Sequence, residues 1–246
     1  MFPLRDDNPT TTFPVMTMLL IAATIGVWWW VQGSGLSHPA LLESICRYGA
    51  IPMEVTGRAP DAMEGPCRPG GLAWEAVLTS IFLHAGWMHL IGNMWFLWIF
   101  GNNVEDAIGS VRMLAFYVLV GVLAGGAKIL SDPRSPLPMV GASGAVSGVM
   151  GAYLVLHPRA RVDTLFFFFI FVRVVPLPAW VMLAYWMLIQ IVASTITPEG
   201  GGGVAYMAHI GGFAAGLVLL PVFRGRGGPR GKAPPGHRRS VGRARS

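Results

Sequence analysis

The chain has 246 residues, 53% of them hydrophobic and only 12% charged, with a mean hydropathy of +0.55 and a net charge of +6. A soluble domain carries about a quarter charged residues, so this composition excludes one and points to a single polytopic membrane domain. A bilayer interior obliges the backbone to satisfy itself, so apolar runs of about 20 residues are expected as helices, and six spans are predicted.

Residues 1–13 form a short N-terminal segment, and the six-helix domain covers 14–223. The first span runs from Pro14 to Val31 and ends in Trp28-Trp29-Trp30, an aromatic cluster suited to a membrane interface. It lacks a basic n-region and a small-residue cleavage site, so it is read as retained and not as a removed signal peptide. A loop over 32–85 follows and holds both cysteines, Cys46 and Cys67. In an oxidising compartment they pair; otherwise they are two free thiols. No metal-ligand spacing accompanies them, and neither a metal nor a cofactor is expected.

The second span, Gly86 to Phe100, is entered through Phe82-Leu83-His84-Ala85-Gly86-Trp87-Met88-His89-Leu90-Ile91-Gly92-Asn93. His89 and Asn93 are four apart on one helical face, so both can aim donors at one point near the outer boundary. Such side chains, with a backbone N–H, stabilise a tetrahedral oxyanion. His84 reads better as a loop cap. The third span covers Met113 to Leu130.

After the turn-rich Asp132-Pro133-Arg134-Ser135-Pro136-Leu137-Pro138 comes Gly141-Ala142-Ser143-Gly144-Ala145, and Ser143 opens a fourth span ending at Leu156. A serine at a helix N-terminus meets free N–H groups and the positive helix end, which suits a developing oxyanion. The plain alternative is an N-cap serine. Gly144, Ser147, Gly148 and Gly151 recur at i, i+3, i+4 and i+7, a small-residue face that invites a close neighbour.

Thr164 to Val175 is apolar but short and closes on Arg173, so an interfacial or re-entrant segment is expected, the alternative being a long fifth span kinked at Pro176 and Pro178. The fifth span runs from Pro178 to Val192 and the sixth from Val204 to Phe223. In the sixth, His209, Gly212 and Gly216 share a face, so the backbone around His209 can approach the glycine face of the fourth span. At the usual helical rise His209 lies about 8 Å inside the span end, and a histidine there is a functional candidate by default. The ordinary alternative is an imidazole satisfied by one helix hydrogen bond. A hydroxyl and an imidazole at membrane depth suggest a nucleophile and its base.

The tail, 224–246, carries eight cations and no acid amid Gly and Pro, and disorder is expected there. Positive-inside topology and attraction to anionic lipid explain those cations without nucleic acid. With the N-terminus cytoplasmic, six spans place Arg5, Arg112, Arg159, Arg161, Arg173 and the whole tail inside. Both termini are therefore expected in the cytoplasm, with 32–85 as an outer loop.

A His-x-x-x-Asn pair in the second span, Gly-x-Ser-Gly opening the fourth and Ala-His-x-x-Gly-x-x-x-Gly in the sixth resemble the rhomboid intramembrane serine proteases over roughly Leu72 to Leu220. The resemblance implies an all-α, six-transmembrane-helix bundle with an active site opening outward. It also implies a Ser-His dyad without a third carboxylate, and cleavage of single-span transmembrane proteins through an acyl-enzyme. Ser143 matches the nucleophile, His209 the base, and His89 with Asn93 the oxyanion side chains, while Glu105 matches a family position assigned to packing. The expected location is the inner membrane of a bacterial cell, in contact with the lipid bilayer.

Two departures stand out. Where family members often carry an aromatic residue one turn after the nucleophile, this chain has Ser147, and the frequent Trp-Arg pair of the first outer loop gives way to Trp74-Glu75. No acid lies between Gly200 and Ser246, so glycine packing is expected to orient the imidazole. The rival readings are a catalytically inactive rhomboid-like protein that binds membrane clients and a small transporter. A transporter should show an internal repeat and charged span cores, and neither is visible.

Overall fold

The predicted spans become helices in a computed structural model that describes residues 1–59, 67, 73–168, 171–196 and 204–224. First come strand β1 (Phe2–Asp6), α1 (Val15–Trp30), α2 (His38–Tyr48), α3 (Pro52–Val55) and α4 (Glu75–Thr79). Then follow α5 (Trp87–Ile108), α6 (Ser110–Ser131), α7 (Ser143–Leu156), β2 (Arg161–Phe168), β3 (Phe171–Pro178), α8 (Ala179–Ile196) and α9 (Tyr206–Arg224). Among the described residues, α6, α8 and α9 are long and apolar enough to cross a membrane, and α1 and α7 are apolar but shorter. The chain is a helical membrane bundle. Beyond Arg224 the basic tail, with its expected disorder, lies outside the described residues.

Three features go beyond or depart from expectation. The described residues of Thr164 to Val175 do not join a long fifth span kinked at the prolines: they lie in an antiparallel pair, β2 on β3, with Thr164 opposite Val175. Its β-branched and aromatic residues favour the extended chain, and Pro176 and Pro178 are tolerated because β3 is an edge strand. β1 completes the sheet on the other side, with Phe2 opposite Leu165. The N-terminal segment thus has a structured role.

The second difference is that α5 continues to Ile108, past the expected end at Phe100. Its polar end is satisfied by the N-terminal segment. Asn8 donates to Asn103 (2.6 Å), Asn103 donates to Asp6 (2.9 Å), the Tyr153 hydroxyl donates to Asp6 (2.6 Å), and Thr11 and Thr12 donate to Asp106. Burial pushes the Asp6 carboxyl up to about 6, against the hydrogen bond from Tyr153. A single residue, Gly109 at φ +86°, turns the chain from α5 into α6.

Glu105 is 2% exposed, and its carboxyl caps a different helix. It accepts from the backbone N–H of Met16 (2.8 Å) and Thr17 (2.7 Å), from the Thr17 hydroxyl (2.7 Å) and from the Ser110 hydroxyl (2.6 Å). α1 has no side-chain cap of its own at Pro14, so Glu105 satisfies its first N–H groups. Glu105→Ala should cost about 2–4 kcal/mol, because it strips a cap and orphans buried donors. Thermal unfolding in detergent would show this as a clearly lowered midpoint.

The third feature settles the pairing of the cysteines, which the sequence left open. Cys46 and Cys67 are joined in a disulfide. Together with α2 and α3, that loop grips the segment leading into α7. Ala50 and Met139 exchange backbone hydrogen bonds (3.0 and 2.8 Å), Met53 N–H donates to Ser135 O (3.2 Å), and the Thr56 hydroxyl donates to Pro133 O (2.8 Å). The approach to Ser143 is held from outside the bundle.

α7 is enclosed, with Gly144 to Tyr153 buried without a break. Its small-residue face meets α9 as the spacing predicts. A Cβ added at Gly216 would lie 2.6 Å from the carbonyl carbon and 2.7 Å from the Cα of Gly148, and one at Gly212 would lie 3.0 Å from the carbonyl carbon of Gly144. The two helices touch backbone to backbone.

Candidate active site

Ser143 is the first residue of α7, half-buried, and its Oγ lies 2.7 Å from His209 Nε2 of α9. The glycine contact between α7 and α9 sets this distance, since both residues stand at the same end of that interface. The first bond of α7 runs from Val146 N–H to Ala142 O (2.9 Å), so the N–H groups of Ser143, Gly144 and Ala145 have no intrahelical partner. Gly141 precedes them at φ +130°, a conformation L side chains rarely adopt, and its own N–H donates to Ser80 O (2.9 Å).

Space at Gly141 matters as much as its backbone. A Cβ there would sit 2.7 Å from His89 Nε2 and 3.6 Å from Ser143 Oγ, so the missing side chain leaves room between the two. Ala85 N–H donates to His89 Nδ1 (3.4 Å), which fixes Nε2 as the N–H that faces Gly141. Asn93, one turn further along α5, is 8% exposed, and its Nδ2 makes no hydrogen bond among the described residues. A buried amide donor held without a partner is costly unless a bound group receives it. A small cavity beside Ser143 is lined by Ser80, Gly121, Gly125, Gly141 and Ala208.

His84 is fully buried and set edge-on against His89, with ring centroids 5.0 Å apart. Burial, with His89 nearby, holds its imidazole down to about 3, so it is neutral. Gln32 clamps its backbone: Gln32 Nε2 donates to His84 O, and His84 N–H donates to Gln32 Oε1, both at 2.8 Å. His84 packs against His89, but neither of its ring nitrogens makes a hydrogen bond among the described residues, so the expected loop cap is not made by its side chain.

Two further residues at the site were missed. Gln190 of α8, 7% exposed, places Oε1 2.8 Å from His209 Nδ1, so glycine packing is not alone in orienting the imidazole. Trp186, one turn earlier on α8, lies against the His209 ring with centroids 5.8 Å apart and planes 35° apart. Ser147, one turn after Ser143 on α7, turns its hydroxyl to the Ser143 carbonyl (2.6 Å). The signal for Gln190 was present: it is an amide in an otherwise apolar span, and an amide oxygen accepts from an imidazole as a carboxylate does.

A family model described as Rhomboid domain matches residues 71–226. The chain is 43% identical over 81 residues to Rhomboid protease GluP of Bacillus subtilis (strain 168), covering 33% of this chain and 15% of that protein. It is 43% identical over 77 residues to Rhomboid-like protein 11, chloroplastic, of Arabidopsis thaliana, covering 31% and 27%. It is 30% identical over 170 residues to RHOMBOID-like protein 12, mitochondrial, of the same plant, covering 62% and 47%. The matched stretches span less than half of each relative's length.

Proposed function

This chain belongs to the rhomboid family, and from that membership we propose that it is an intramembrane serine endopeptidase acting on single-span membrane proteins. The observation that carries the reading is the 2.7 Å approach of Ser143 Oγ to His209 Nε2. A relative named as a rhomboid protease supports the reaction class.

In the proposed reaction His209 Nε2 takes the Ser143 proton as Oγ bonds to the scissile carbonyl carbon. The carbonyl oxygen becomes an oxyanion that receives the Ser143 N–H, the His89 Nε2–H and an Asn93 Nδ2–H. Collapse breaks the C–N bond, the imidazolium protonates the departing amine, and an acyl-enzyme remains. Water, deprotonated by the same imidazole, then releases the carboxyl product and restores Ser143. A substrate helix hides its own amides in hydrogen bonds, so the segment must unwind to reach Ser143. The Gly and Ala lining beside Ser143 favours a small side chain at the cleavage point, and access is from lipid past α8.

Cation placement supports a six-span topology with 1–13 and 224–246 in the cytoplasm, 32–85 outside, and the dyad toward the outer face. A bacterial inner membrane is the proposed location. The test is cleavage of a purified single-span substrate by the detergent-solubilised chain, with a fluorophosphonate probe mapped to its site of attachment. Attachment to a serine other than Ser143 would sink the assignment. Asn93→Ala should lower kcat by about tenfold to a thousandfold with KM little changed, since it removes one donor made to wait for the oxyanion. Steady-state kinetics on the same substrate check this split.

A further inference from the structure

We propose that Gln190 is the positioning residue of the dyad: it holds His209 in the tautomer that leaves Nε2 free to accept the Ser143 proton. The inference rests on the protease reading and extends it to a residue on α8. Gln190 Oε1 has lone pairs and no hydrogen, so the 2.8 Å contact requires His209 Nδ1 to be the donor. With the hydrogen on Nδ1, the lone pair is on Nε2, 2.7 Å from Ser143 Oγ. The other end of the Gln190 amide donates to Trp186 O on its own helix (3.4 Å), which fixes which atom faces the imidazole. Trp186 then limits ring rotation from the flank.

Soluble serine proteases give this task to a buried carboxylate. At membrane depth an ionised carboxylate carries a heavy desolvation cost, and a neutral amide supplies the same acceptor without it. The amide orients the ring and selects its tautomer, but offers the imidazolium a dipole and not a full charge. α8 buries only Ala179, Met182, Leu183 and Gln190 among its side chains, so this bond is among its few anchors in the bundle.

The test uses the full chain in detergent with a single-span substrate, comparing wild type, Gln190→Leu, Gln190→Glu and Ser143→Ala. Gln190→Leu keeps the bulk but removes the acceptor, and kcat should fall by about tenfold to a hundredfold with KM within about twofold. Gln190→Glu restores an acceptor and should recover most of the lost rate. Because a carboxylate beside an imidazolium favours the protonated ring, it should also move the acidic limb of the pH–rate profile to higher pH. The titratable neighbour acting on His209 is His89 of α5, unchanged in every variant. Wild-type kcat in Gln190→Leu overturns the proposal, as do equal losses in Leu and Glu variants with the acidic limb unmoved. If Ser143→Ala is inert in either case, the protease reading survives and only the role of Gln190 falls. If Ser143→Ala cleaves normally, the protease reading itself is lost.

Discussion

Ser143→Ala and His209→Ala should each lower cleavage of a single-span substrate by at least about 10⁴-fold, and the double variant should be no slower than either single one. A serine hydroxyl is a weak nucleophile at neutral pH and depends on a base within hydrogen-bond reach, here His209 Nε2 at 2.7 Å. Removing the hydroxyl leaves nothing to acylate; removing the imidazole leaves the proton with nowhere to go. Non-additivity separates a working pair from two residues that merely support the fold. Ser143→Ala should unfold near the wild-type midpoint because Ser143 is half-buried, whereas His209→Ala should lower it somewhat because it leaves the buried Gln190 Oε1 without its donor. Cleavage at an unchanged rate by either variant would remove the dyad from consideration.

Gly216→Ala should disarm the same pair without touching it. The added methyl would press on the backbone of Gly148, 2.6 Å from its carbonyl carbon and 2.7 Å from its Cα, and neither atom can rotate out of the way. α7 and α9 must part to admit it, at a cost of about 1–3 kcal/mol in stability. His209 lies seven residues up the same helix, so a tilt at Gly216 is carried to the imidazole. A misplacement of about 1 Å between reacting groups costs roughly a hundredfold in rate. Fluorophosphonate labelling of Ser143 should therefore slow by about that factor, together with a lower thermal midpoint. Gly126→Ala is the control, since a Cβ at Gly126 meets nothing within 4 Å, and it should label like the wild type.

The parts legible in the sequence were those written as spacing. Gly144, Gly148 and Gly151 against Gly212 and Gly216 declare a backbone-to-backbone contact through helical periodicity alone, and that contact makes Ser143 and His209 neighbours. The spans were legible for the same reason, because lipid forces apolar runs into helices. The hairpin was not: Thr164 to Val175 is equally apolar as paired strands or as an unpaired interfacial or re-entrant segment, and the extended form is settled by pairing, β2 with β3 and Val162 to Leu165 with β1 over 150 residues away. The polar end of α5 was read as its stop because Asn103, Glu105 and Asp106 look solvent-bound until partners from 6–17 are in place. Gln190 was visible as an amide in an otherwise apolar span, but its partner was not, because that depends on which helix α9 packs beside. Trp186 escaped with it, as a tryptophan in the middle of an apolar span suits a lipid-facing side as well as a helix contact.

The contact between α7 and α9 gives the reacting pair an uncommon kind of tolerance. Elsewhere in a protein, a separation between two groups is the sum of several side chains and can drift gradually as those side chains change size. Here it is set by the thickness of the main chain itself, which no substitution can thin. Mutation can only widen the gap, in steps no smaller than a methyl group, so sequence drift along this seam has one direction and no gentle slope.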